Sequence, residues 1–80
     1  MKHVYRIQSL ANPSQKYTGL TDDLEARLAK HNEGGSPHTS QYHPWRLVAS
    51  IGFDNDQKAM SFERYLKSGS GRAFAAKHLW

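Results

Sequence analysis

Tyr5 and Tyr17 lie on two short strand-like runs, and the second run leads into a helix that carries Arg27 and His31 on the same face as its leucines. A later helix places Glu63 on its apolar face in the same manner. Polar groups at positions that should serve a core are costly unless they are paired or at work. Two phenols, a guanidinium, an imidazole and a carboxylate form a set able to hydrolyse a phosphodiester with one metal ion. A phenol near cations can hold or deprotonate a water. A guanidinium grips phosphate oxygens through two N–H groups and stabilises developing charge. One carboxylate suffices for Mg²⁺, which keeps several waters and takes only one or two acids.

These side chains need elements to hold them. Residues 3–8 alternate in the manner of a strand and are rich in Val, Tyr and Ile. Asn12-Pro13 marks a turn, and residues 16–20 return as a second strand, with Gly19 near its end signalling a bend or a close backbone approach. Thr21-Asp22-Asp23 opens a helix: Asp22 with Glu25 fits a capping box, and Thr21 is the alternative cap. The helix runs to His31 or Asn32, and Gly34-Gly35 ends it. At about 100° per residue, Leu24, Arg27, Leu28 and His31 fall within one arc, as do Ala59, Phe62, Glu63 and Leu66 further on. Residues 36–44 read as a polar loop and residues 45–51 as a third strand. A second helix starts at Asn55 or Asp56 and runs to Lys67. Residues 68–71 break it, and residues 72–79 form a short last helix. The order β-β-α-β-α-α is an α+β pattern, a small antiparallel sheet with helices packed on it.

Eighty residues make one small domain with a thin core, here expected to span residues 1–80. Cysteine is absent, which excludes a disulfide framework, thiolate zinc and a cysteine nucleophile. No apolar run approaches the roughly 18 residues of a membrane span, and residues 1–5 hold no signal-peptide core, so a soluble, cytoplasmic protein is expected. A net charge of +4 favours polyanions such as nucleic acid. Arg64, Lys67 and Arg72 form a basic region that reads either as a solvated helix face or as phosphate contacts. His31, His38 and His43 match no zinc-ligand spacing; His38 and His43 read as loop residues that contact phosphate when protonated or face water.

Val4-Tyr5, followed by the run from Tyr17 to Asn32 written as Tyr-x-Gly-x-Thr-x-x-Leu-x-x-Arg-Leu-x-x-His-Asn, resembles the GIY-YIG nuclease superfamily. The resemblance is to its small single-domain branch, which is similar to the N-terminal nuclease domain of the UvrC excinuclease. Ser36-Pro37-His38-Thr39, Pro44-Trp45-Arg46-Leu47-Val48 and the stretch from Glu63 to Arg72 look like that branch too. The resemblance implies a three-stranded antiparallel sheet flanked by helices. It implies a divalent-metal-dependent endonuclease using Mg²⁺ or Mn²⁺ on nucleic acid, DNA ahead of RNA. By position, Tyr5 and Tyr17 are the motif tyrosines and Gly19 the structural glycine of the second motif. Arg27 and His31 are the helix pair, and Glu63 is the metal-binding acid. His3 stands where the first motif has glycine, and Thr18 where the second has isoleucine. No counterpart of an Asn that many members carry is found after Gly71. The rival expectation is a basic nucleic-acid-binding or protein-adaptor module of the same fold without turnover.

Overall fold

The computed structural model describes residues 1–35 and 39–80. Three strands, β1 (Lys2–Ser9), β2 (Lys16–Thr21) and β3 (Trp45–Phe53), form an antiparallel sheet in the order β2-β1-β3. Three helices complete the fold: α1 (Leu24–Asn32), α2 (Asp56–Leu66) and α3 (Gly69–His78), with a 3-10 turn at Ser40–Tyr42. The order and the α+β class are those expected from the sequence.

Side-chain alternation along β1 divides the core between the two faces of the sheet. Val4 faces α2 and α3 and packs with Ala59, Leu66 and Ala75, bordered by Leu20, Phe53, Phe62 and Phe74. Tyr5 and Ile7 face α1 and pack with Trp45, bordered by Tyr17, Leu24, Leu28 and Leu47. Register pairs Tyr5 with Gly19 and Arg6 with Thr18 on β2. On the β3 side the register shifts between Arg6 and Ile7, whose partners are Ala49 and Leu47, so Val48 is the extra residue of a bulge.

Several boundaries differ from the sequence reading. The cap of α1 is Asp23, whose carboxylate accepts from the Ala26 N–H at 3.1 Å, and not Asp22 or Thr21. Thr21 instead accepts the Asp23 N–H through its hydroxyl at 3.1 Å, turning the chain out of β2 so that Asp23 can cap. Gly34, at φ +76, ends α1, and the Gly35 N–H donates to the Lys30 carbonyl at 3.0 Å. Asn55 caps α2 through the Lys58 N–H at 3.0 Å. The last helix begins at Gly69, three residues before the expected Arg72, because Ser68 caps it through the Gly71 N–H. Two glycines and two serines read as a breaker, but Gly71 serves close packing: a Cβ there would strike the Tyr65 carbonyl at the end of α2. This tight α2–α3 corner brings Lys67 and Arg72 to the β2 side of the sheet. No described helix is long and apolar enough to cross a membrane.

Candidate active site

His31 is the centre of the site. It lies in the apolar stripe of α1, is 1% exposed, and uses both ring nitrogens. Nε2 is 2.8 Å from the Tyr5 hydroxyl and Nδ1 is 2.7 Å from the Thr39 hydroxyl. Burial, helped by the charges of Arg27 and Lys30, pulls the His31 pKa below its ordinary value of 6.5, so the imidazole is neutral at neutral pH. Tyr5 is equally buried, and its phenol is pushed up to about 12. Burial is the main cause; Tyr17 and Glu63 add to it, while Arg27 opposes it. A phenol that holds its proton donates to Nε2, which leaves Nδ1–H to donate to Thr39. The result is a buried chain from Tyr5 through His31 to Thr39.

The chain is fixed from behind. The Trp45 indole N–H donates to the Thr39 carbonyl at 3.0 Å. Asn32, next to His31, grips Trp45 twice: its side-chain carbonyl accepts the Trp45 N–H, and its side-chain N–H donates to the Trp45 carbonyl at 3.1 Å. The end of α1 is thereby tied to the start of β3. On the opposite side, Gly19 is the β2 partner of Tyr5, and a Cβ there would land on the phenol ring and its oxygen. Only glycine leaves room for Tyr5 in this place.

The remaining sequence candidates lie around this chain. The Tyr17 ring is half-buried, 6.3 Å from Tyr5 and 5.2 Å from His31 between ring centroids. Arg27 is exposed, unlike its neighbours on the stripe, and its charge reaches the Tyr5 phenol. Glu63 is half-buried on α2, its charge also felt at Tyr5, and it forms an ion pair with Lys67 one helical turn on. A carboxylate whose charge reaches Tyr5 is a hard oxygen donor of the kind Mg²⁺ or Mn²⁺ takes, and these ions need few acids. Among the described residues no three His, Cys, Asp or Glu side chains gather as a multidentate site. Both nitrogens of His31 are engaged, so a zinc site built on His31, His38 and His43 has no first ligand. His38 lies outside the described residues; His43 is exposed and bonds through Nδ1 to the Ser40 carbonyl. Lys67 and Arg72 line a common pocket, whereas Arg64 is exposed elsewhere on α2.

Sequence reasoning missed Thr39, Asn32 as a tether, and Arg6. Thr39 entered the sequence reading only within the run Ser36-Pro37-His38-Thr39 and with no role, because its role depends on contacts with His31 and Trp45 that local spacing does not show. Arg6 did carry a signal: alternation places it on the Val4 face of the central strand, where a charge is out of pattern.

Comparison with known proteins agrees with the fold. The model of the GIY-YIG catalytic domain matches residues 1–76. The UPF0213 protein of Lactococcus lactis subsp. cremoris is 50% identical over 52 residues, which cover 64% of this chain and 53% of that protein. The UPF0213 protein of Halobacterium salinarum is 37% identical over 68 residues, covering 84% and 86%. A protein of Giardia intestinalis named structure-specific endonuclease subunit SLX1 homolog is 37% identical over 60 residues, covering 70% of this chain and 17% of that one. The chain spans about half the length of the Lactococcus relatives it matches. The solution NMR structure of the UPF0213 protein BH0048 from Bacillus halodurans shares the fold at a TM-score of 0.56 and 31% identity, covering 96% of this chain and 84% of that one. The chain belongs to the GIY-YIG family and groups within it with the UPF0213 proteins.

Proposed function

We propose that this protein is an endonuclease that hydrolyses phosphodiester bonds of nucleic acid, DNA ahead of RNA, with one divalent cation, Mg²⁺ or Mn²⁺, held by Glu63. The reading is supported by the catalytic-domain family and by a relative named as part of an endonuclease. The observation that carries it is the buried hydrogen bond between the Tyr5 hydroxyl and His31 Nε2. A phenol with a pKa of about 12 can act as a base only if its own proton leaves as it takes another. His31 is neutral, and its Nε2 lone pair faces that proton. In the proposed step, Tyr5 takes a proton from the attacking water and passes its own to Nε2. Thr39 accepts the Nδ1–H throughout and holds the tautomer. Tyr17, more open than Tyr5, orients the water against the phosphate. Arg27, exposed at the rim, binds a non-bridging oxygen of the scissile phosphate and stabilises its added charge. Bound at Glu63, a divalent cation would supply Lewis-acid stabilisation of the leaving oxygen.

The test is a cleavage assay on duplex, flap, fork and single-stranded DNA and RNA with Mg²⁺ or Mn²⁺. Glu63→Ala is expected to lose metal-dependent cleavage by about a hundredfold or more while keeping the wild-type amide spectrum away from α2. Undiminished cleavage by a folded Glu63→Ala would remove Glu63 from the site. Binding without cleavage by the wild type on every substrate would leave the adaptor reading in its place.

A further inference from the structure

Arg6 pairs across the sheet with Thr18, and alternation places both on the face of Val4 and Leu20. Its residue is 8% exposed, and Nε and Nη1 are buried with no hydrogen-bond partner. A buried guanidinium with open N–H groups is costly to keep. Among the described residues the salt bridges are Lys2–Asp22 and Glu63–Lys67, and neither satisfies Arg6. Burial pulls the Arg6 pKa down from its ordinary value, yet a guanidinium stays charged. The Trp80 ring lies against it, 4.2 Å from Cζ to the ring centroid, and Lys16 Nζ lies 4.9 Å from the same centroid. Attraction to the ring favours both cations but fills none of the open N–H positions.

Arg6 borders a pocket of about 260 Å³ with Lys16, Tyr17, Thr18, Lys67 and Arg72. Four cations surround this space, and no carboxylate lines it. Their mutual repulsion and the open N–H groups are both relieved by one ligand class, a compact anion with several acceptor oxygens. The fork of a guanidinium matches two oxygens of a phosphate, and lysines complete the charge. Tyr17 belongs to this pocket and also to the tyrosine–histidine cluster, so a strand bound at that cluster would pass the pocket.

We propose that this pocket binds a second phosphate group of a nucleic-acid strand, apart from the one that is cut, with Arg6 as its anchor. The identity of the bearer rests on the nuclease reading; the phosphate chemistry does not. The phosphate belongs either to an internal diester beside the cut or to a strand end. Lys67 is shared: its ion pair with Glu63 competes with the ligand.

The experiment is a metal-free titration in EDTA at constant ionic strength, observing the Arg6 Nε–H and Thr18 amide signals by ¹H–¹⁵N NMR. The probes are thymidine, a thymidine dinucleotide with one internal diester, and the same dinucleotide with a 5′ phosphate. Both phosphate-bearing probes or the 5′-phosphorylated one alone should shift the two signals saturably, and thymidine should not. Equal affinity assigns an internal diester, and preference for the 5′ phosphate assigns a strand end. Arg6→Met should bind at least about tenfold more weakly without loss of thermal stability in phosphate-free buffer. Should Arg6→Met fail to fold, Arg72→Ala and Lys16→Ala must each weaken the same Arg6 shift several-fold. Glu63→Ala should keep the shift, so failure of cleavage and failure of this site are separate results. An unmoved Arg6 signal, wild-type affinity in folded Arg6→Met, or loss of the shift in Glu63→Ala would overturn the proposal.

Discussion

Tyr5 and His31 owe their chemistry to burial more than to identity. The apolar contacts of Ile7 and Trp45 around Tyr5 hold the phenol neutral, and the same cover holds the imidazole neutral. Removing the Tyr5 hydroxyl leaves Nε2 buried without a partner. Tyr5→Phe is therefore expected to lose about 1–3 kcal/mol of stability in urea unfolding, and cleavage by about a hundredfold or more. Absorbance titration of the phenolates should show a step near pH 12 in the wild type that this variant lacks. The pH response of His31 follows from its lowered pKa. Above 6.5 the imidazole is neutral in both folded and unfolded chains, so it contributes no pH dependence there. As pH falls below 6.5 the unfolded chain takes up the proton first, and stability declines until the folded His31 pKa is passed. Cleavage should fall at the acid end with that same lowered pKa, because a protonated Nε2 accepts nothing. A rate-against-pH profile in which activity is already half lost at 6.5 or above would exclude His31 as the acceptor. His31 was legible in the sequence as a polar intrusion on an apolar helix face, and Tyr5 as a phenol on a strand-like run. Their partner Thr39 was not, because a loop residue declares itself only once Trp45 and Asn32 have placed the loop.

Among the elements, the pairing of β1 with β2 matters most for the site. It sets Gly19 under Tyr5 and Thr18 beside Arg6, so one register serves both faces of the central strand. Gly19→Ala is expected to push the phenol off His31, costing about 1–3 kcal/mol by overpacking and about a hundredfold in cleavage. The same substitution in a Tyr5→Leu background should cost much less stability. Equal costs in the two backgrounds, measured as a double-mutant cycle, would show that the ring is not what the methyl meets. Strands and helices were readable from periodicity, and their ends were less so. The start of α1 turned on whether Thr21, Asp22 or Asp23 caps, which depends on how Thr21 bends the chain out of β2. The start of α3 was hidden because a Gly-Ser run has the composition of a breaker, while Gly71 is there for the contact with Tyr65.

Over the whole molecule, five of the eleven Lys and Arg side chains stand around the candidate site and the pocket beside it. Arg27 stands at the rim of the tyrosine–histidine cluster, and Arg6, Lys16, Lys67 and Arg72 ring the neighbouring pocket. A net charge of +4 read from sequence gave the sign of the partner but not this concentration at the β2 side. Binding to a short duplex should weaken with salt with a log–log slope of about −4, and Arg72→Ala should reduce that slope by about 1. An Arg72→Ala slope equal to that of the wild type would place this residue outside the strand path. Net charge alone foretold no geometry; the α2–α3 corner and the β2 register made it. The tight fit of Gly19 under Tyr5 has a historical side as well. Selection for the phenol is also selection for a bare backbone opposite it, so the two positions behave as one inherited character. A descendant that did without the phenol would be released to fill position 19, and a side chain there would be the mark of that loss.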